Sequence, residues 1–153
     1  MDARELIESW LYSADASMAL HYDAARHFER RHYLIGVPAL VLSTAVGTTV
    51  FAALQKDVYV AIQFTTGAAS VLAAILTGLQ TFLGYNQRAA KHQSAGAAYA
   101  ALIREIHQEQ AFPLSEVNQL RGFVEKVRTR FDALSKESPS IPERLWKLAA
   151  SRD

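Results

Sequence analysis

Hydrophobic residues are concentrated in the middle of this chain of 153 residues, between Tyr33 and Gln87. That stretch contains only two charged residues, Lys56 and Asp57, which are adjacent. They separate a charge-free run of about 23 residues from a second run of about 30 residues. A helix needs about 20 mostly apolar residues to cross the hydrocarbon core of a bilayer. The pattern therefore predicts an all-α integral membrane protein in which two transmembrane helices form a hairpin.

The segments on either side place apolar residues at spacings of three and four, which predicts amphipathic helices. Their opposite faces carry charged residues, so we expect cytoplasmic arms that contact water and one another. No segment alternates apolar and polar residues with the period of a strand. We expect one two-transmembrane domain over residues 1–153, with helices over residues 4–32 (first arm), 34–54 (first crossing), 59–84 (second crossing, continuing as a cytoplasmic helix to about 110), 115–136 and 142–149.

Two short segments are predicted to interrupt these helices. Gln55–Asp57 is the turn of the hairpin, and its brevity requires the second crossing to return antiparallel beside the first. Phe112–Ser115 contains Pro113, which lacks a backbone N–H, and Ser115, which suits the cap of a following helix.

The charges that flank the two crossings predict their orientation. Arg26, Arg30 and Arg31 precede the first crossing, and Arg88 and Lys91 follow the second. The connecting turn carries one positive and one negative charge. Because positively charged flanks stay on the cytoplasmic side, both termini are predicted to be cytoplasmic in a multi-pass protein of the cell membrane.

Small and polar residues recur along one side of the second crossing, again at spacings of three and four. The candidate functional residues of this polar stripe are Gln63, Thr66, Ser70, Thr77 and Gln80. Lipid would leave their hydrogen-bonding groups unsatisfied. One interpretation is a pore lining in an oligomer; the other is a close helix–helix seam in which hydroxyls bond to backbone and amides bond across helices. One hairpin cannot enclose water, so a homo-oligomer is predicted in either case.

Small residues also indicate where helices approach closely. Ser43 and Gly47 form a small-xxx-small pair on the first crossing, and Gly84 continues the small and polar side of the second. Such residues let two backbones come near each other in a membrane. We therefore predict that these three residues are close-packing positions.

Composition and charge exclude several classes of function. The net charge of +1 gives no basic face for nucleic acid, and no cysteine is present for disulfide or thiol chemistry. The sequence contains no glycine-rich phosphate loop, no Gly-x-Ser-x-Gly motif, and no paired carboxylates in the crossings. We therefore expect a protein that is not an enzyme, needs no cofactor, and has the lipid bilayer and copies of itself as partners.

Five histidines raise the question of a metal site: His21, His27, His32, His92 and His107. The spacing from His27 to His32 does not suit a helical metal pair, which requires residues four apart. His21 and His92 each lie on the inward stripe of an arm and are expected to face each other there. Structural histidines are the preferred interpretation, and no metal site is predicted. A pH-sensitive switch remains an alternative, because imidazole titrates near neutrality.

The order of these features resembles the SLATT family, the two-transmembrane effector domains that accompany SMODS nucleotidyltransferases and SLOG sensor domains in bacteria. The resemblance covers roughly residues 5–148 and is most specific over residues 89–106. The residues that carry it are Trp10, His21 and Arg30-Arg31 in the first arm, Pro38 and Leu42-Ser43-Thr44 in the first crossing, Ala89, His92, Ala95, Tyr99, Leu102, Arg104, Glu105 and Ile106 after the second crossing, and Ser138, Pro139, Ile141 and Pro142 near the end.

The resemblance implies an effector of a bacterial conflict system that acts at the inner membrane in antiviral, anti-phage defense. Such an effector is expected to oligomerise and form a pore, or otherwise permeabilise the membrane, after a signal. The chain has no sensor segment of its own, so a separate sensor or a nucleotidyltransferase-derived signal is the expected partner. The family-like residues of the arms are Trp10, His21, His92 and Tyr99. The alternative function is a non-conducting membrane scaffold that recruits a cytosolic partner.

Overall fold

The computed structural model describes residues 2–53, 59–111 and 117–150, and within these ranges every regular element is an α-helix. The all-α fold class is thereby confirmed. The predicted turn at residues 55–57 and the predicted break at residues 112–115 lie outside the described residues. The helices are α1 (Ala3–Ala53), α2 (Val60–Leu83), α3 (Tyr85–Gln110), α4 (Val117–Glu137) and α5 (Glu143–Ala150).

Helix α1 joins two elements that the sequence predicts separately. It runs for 51 residues without interruption, so the first arm and the first crossing form a single helix. Pro38 lies inside it. The helix continues because no capping residue ends it between the charged segment and the apolar one. Pro38 is tolerated because, in apolar membrane helices, neighbouring groups satisfy the carbonyl that loses its hydrogen bond.

Gly84 separates α2 from α3, where the sequence predicts one continuous helix. Its backbone is left-handed, with φ of 56°, and its N–H donates to the carbonyl of Gln80 at 3.3 Å. This geometry terminates a helix, and glycine adopts it without the steric cost that a Cβ brings. A Cβ at Gly84 would meet only Gln87 within 4 Å. Gly84 therefore ends α2 through its left-handed conformation, and its role in close packing stays a prediction.

The described residues form two compact units. The first contains residues 2–27 and the part of the chain after residue 87, and the second contains residues 28–87. The core of the first unit brings the start of α1 against α3 and α4. It consists of Ile7, Leu102, Ile106, Phe123 and Val127, with Trp10, Leu11, Leu120, Val124, Phe131 and Leu134 packed around it.

An ion-pair cluster on the first unit links α3 to α4. Glu105 accepts from Lys126 at 2.7 Å and also from Arg130. The carboxylate is largely shielded, whereas both cations are about half exposed. The ammonium of Lys126, with Arg130, lowers the pKa of Glu105, although partial burial opposes the shift.

The second unit is the hairpin itself, formed by the later part of α1 and by α2. Its buried contact involves small residues: Ala39 is 4% exposed and Ala73 is 6% exposed. Large apolar side chains point away from that contact, among them Leu40 at 68% and Phe82 at 86% exposed. Both helices are long and apolar enough to cross a membrane, and only 6% of the most apolar window of each is buried. A core helix of a soluble protein would be mostly buried.

Candidate functional site

The polar stripe of α2 lies partly against α1 and partly on the open surface of the hairpin. Thr66, Ser70 and Gln80 are partly buried, whereas Gln63 and Thr77 are exposed. The small residue between Ser70 and Thr77, Ala73, is the most buried position of this face. The stripe therefore supplies the contact between the two helices along one edge and leaves other members accessible.

Two of the three hydroxyl groups of the stripe donate hydrogen bonds within their own helix. Ser70 donates to the carbonyl of Thr66 at 2.8 Å, and Thr77 donates to the carbonyl of Ala73 at 2.9 Å. This bond to the preceding turn is the common solution for a hydroxyl in an apolar helix. The donors need no water, while each hydroxyl oxygen keeps the capacity to accept a bond.

One hydrogen bond crosses between the two helices of the hairpin. The amide nitrogen of Gln80 on α2 donates to Nδ1 of His32 on α1 over 3.4 Å. Gly36 makes room for it, because a Cβ there would lie 2.8 Å from that amide nitrogen. Sequence reasoning proposed Gln80 but missed both His32 and Gly36 as its partners. The spacing of His32 and Gly36, one helical turn apart on α1, was the sequence signal that could have indicated this contact.

A groove of about 430 Å³ lies on the hairpin beside this bond. Its polar lining comes from His32, Ser43, Thr77 and Gln80, and Tyr33 and apolar residues complete the wall. Thus Ser43, a predicted close-packing residue, borders an accessible groove. Gly47, its partner in the small-xxx-small pair, has no atom within 4 Å of where a Cβ would be. Both positions are open to a further helix.

The first unit contains a second polar site, built from two histidines. His21 on α1 and His92 on α3 are 2% and 3% exposed. Their Nδ1 atoms lie 3.0 Å apart, so one ring donates its N–H and the other accepts. Burial lowers the pKa of His21, and the neighbouring His92 lowers it further; burial also lowers the pKa of His92. Both rings are therefore held in the neutral form more strongly than free imidazole.

Tyr99 completes this histidine site. Its ring stacks on His21 with the centroids 5.7 Å apart, and the edge of Phe131 approaches it at 6.0 Å. Its hydroxyl shares a 3.3 Å hydrogen bond with that of Ser135 on α4. Three family-like residues, His21, His92 and Tyr99, are thus brought together. The fourth, Trp10, packs against the hydrophobic core instead.

Among the residues that the structure describes, no three histidine, aspartate or glutamate side chains come close enough to hold one ion. The two imidazoles of the histidine site already use their facing nitrogens for a mutual hydrogen bond.

Comparisons with protein-family models, with curated proteins and with solved structures find no match.

Proposed function

We propose that this protein is a two-pass effector of the bacterial inner membrane, with both termini in the cytoplasm, that oligomerises and permeabilises the membrane when a conflict signal arrives. The resemblance to SLATT domains supports the link to anti-phage defense. The signal comes from a separate sensor or from the product of a nucleotidyltransferase.

The observation that carries the proposal is the combination of an apolar outer surface with a polar stripe on α2. Exposed side chains such as Leu40 and Phe82 suit lipid and not water. Hydrogen-bonding side chains such as Gln63 and Thr77 lie on the same short hairpin and are exposed in a single copy. In hydrocarbon, groups of this kind face other helices or a water-filled path. In an oligomer of hairpins, the apolar side chains can face lipid while the polar stripes face one another or a water-filled path.

In the assembled pore, the stripe lines the conduit. Gln63, Thr66 and Thr77 present amide and hydroxyl groups to permeating water and ions, while Ser70 and Gln80 stand where the lining meets α1. Ser43 and Gly47 lie on the open side of α1 and receive the neighbouring subunit, since a small residue permits close approach.

Reconstitution of the purified protein in liposomes tests the pore. The triple variant Thr66→Val, Ser70→Ala and Thr77→Val keeps side-chain size nearly unchanged but removes the polar groups. We expect ion leak to be lost while the oligomer persists on native electrophoresis. The matched control is Thr65→Val, because this threonine is exposed and lies on a different side of α2 from the stripe. The control should conduct like the parent protein.

Two results contradict the pore. The first is dissociation of the oligomer in the triple variant, which assigns the stripe to a helix seam. The second is an unchanged membrane potential in cells that contain the assembled oligomer, under every sensor or nucleotide trigger supplied.

A non-conducting scaffold is the second candidate, favoured by the bonds within the hairpin. Ser70 and Thr77 already donate to their own helix, and Gln80 already bonds to His32. A stripe satisfied in this way can serve as a dry seam. The scaffold function predicts recovery of a cytosolic partner in fixed stoichiometry from cross-linked cells, together with liposomes that do not leak.

A further inference from the structure

The histidine site places two titratable rings where the first arm meets α3. Among the described residues, His21 and His92 are the two polar side chains that are buried. Burying a polar group costs free energy unless its hydrogen bonds are made. An apolar pair would therefore fill such a position equally well. Here the two rings hydrogen-bond to each other through the 3.0 Å contact between their Nδ1 atoms.

The contact accommodates only some of the protonation states of the pair. With both rings neutral, one Nδ1 carries the proton and the other accepts it. With one extra proton, the imidazolium donates to the remaining neutral ring, and the bond persists. With two extra protons, both Nδ1 atoms carry hydrogen, so the donors oppose each other at 3.0 Å and two positive charges share a buried site. The doubly protonated pair therefore cannot keep this geometry.

Aromatic side chains lie beside the pair. Tyr99 of α3 stacks on His21, and Phe131 of α4 packs edge-on against the ring of Tyr99. Tyr22 of α1 lies against Gly96. Of the charged residues next to the pair in sequence, Asp23 pairs with Arg26 and Lys91 is exposed.

We infer that His21 and His92 form a proton-sensitive latch: the pair closes the contact between the first arm and α3 while it holds at most one extra proton, and it opens that contact when both rings are protonated. This inference does not depend on the pore, since the latch lies within the first unit and is measured there.

The direction of the pH response follows from proton linkage. The closed state binds protons less readily than the open one, because burial lowers both pKa values from the ordinary 6.5 and the facing ring lowers the pKa of His21 further. The contact is therefore fully stable above the ordinary value and loses stability as the pH falls below it. Where the open state holds one more proton than the closed state, the opening constant rises about tenfold per pH unit.

Spin labels measure the opening directly in the full chain. The protein has no native cysteine, so Ala19→Cys on α1 and Gln93→Cys on α3 create two unique labelling positions, both exposed. Distances are recorded in detergent between about pH 8 and about pH 5, the range that spans imidazole titration. We expect one narrow distribution at the upper pH and a second, longer one that grows as the pH falls. The double variant His21→Asn/His92→Asn, which does not titrate, should keep the narrow distribution throughout.

A third variant and a second measurement make the test decisive. His107→Asn removes an exposed histidine of the same helix and should leave the response intact. If the double variant has lost helix content at the upper pH, histidine nitrogen NMR of the parent protein decides. Two separate protonation steps, with the second coinciding with the longer distance, support the latch. Unchanged distances across the titration, or a full response in a folded double variant, overturn it.

Discussion

The ring of Tyr22 on α1 lies flat against Gly96 on α3, so close that a Cβ at Gly96 would meet three ring carbons at 3.2 Å. This contact lies one helical turn from Tyr99 and His92, so it sets the distance between the two helices beside the histidine site. Close packing of the two helices therefore favours a residue without a Cβ at position 96. The constraint is steric, since the glycine has an ordinary helical φ.

Two glycine substitutions separate this steric effect from helix propensity. Gly122→Ala on α4 meets no atom within 4 Å and should raise the free energy of unfolding by about 0.5–1 kcal/mol, because alanine favours the helix. Gly96→Ala gains the same propensity but must displace the Tyr22 ring, so its stability should fall below that of Gly122→Ala. Chemical denaturation followed by circular dichroism makes the comparison. Equal gains for the two variants would show that the ring contact carries no strain.

The core of the first unit should be sensitive to truncation at Leu102. This side chain of α3 is fully buried, with 0% exposure, in a cluster with residues of α1 and α4. Leu102→Ala leaves a cavity and should lower the stability of the unit by about 2–5 kcal/mol. Leu40→Ala is the control, since Leu40 is 68% exposed on the other unit. If amide exchange in α3 and α4 is the same for both variants, Leu102 does not anchor this core.

The cluster around Glu105 predicts an acid-sensitive contribution to stability. Lys126 and Arg130 lower the pKa of Glu105 below its ordinary 4.5. A depressed carboxylate pKa stabilises the fold above the unfolded-state value, and this stabilisation is lost as the pH falls through the folded-state value. Glu105→Gln should cost roughly 1 kcal/mol near neutral pH, since both cations are half exposed, and less in high salt.

A surface ion pair on α4 provides the comparison. Glu125 bonds Arg128 one turn away, with both side chains more than half exposed, so Glu125→Gln should have a smaller effect, of roughly 0.3 kcal/mol. Denaturation at two pH values and two salt concentrations measures both. A loss for Glu105→Gln that persists in strong acid would contradict the ionic explanation.

Gly47 should matter to assembly and not to the hairpin. Because a Cβ at this position meets no atom of another helix within 4 Å, we expect Gly47→Leu to leave the hairpin intact. The proposed neighbouring subunit approaches there, so the larger side chain should weaken the oligomer by tenfold or more. Gly67→Leu, which also meets open space, is the matched control on α2. Analytical ultracentrifugation in detergent compares the two, and equal association would remove Gly47 from the subunit interface.

The hairpin helices were predictable because length and the absence of charge are local properties. A charge-free run beyond the thickness of a bilayer core indicates an apolar helix whatever it contacts. The helical arms followed from periodicity in the same way. The boundaries were less predictable. The sequence separates the arm from the first crossing, yet one helix spans both, and it predicts continuity at Gly84, where a left-handed residue ends α2.

For the candidate residues, too, the sequence predicts which of them share a helix face but not which of them contact another helix. The stripe from Gln63 to Gln80 is visible in the sequence, because helical spacing shows which residues share a face. Which members of that face touch α1 depends on how far each helix is rotated about its own axis. The bond from Gln80 to His32 joins residues 48 positions apart, and that between His21 and His92 joins residues 71 apart.

The sequence by itself therefore determined the helical type, the approximate helix lengths and the residues that share a face, because these features arise from interactions between near neighbours along the chain. The pairing of faces, the fit of Tyr22 over Gly96 and the meeting of two imidazoles required the folded molecule. Contacts of this kind depend on rotations of a few tens of degrees and on separations of a few ångströms between helices, and no local pattern specifies either.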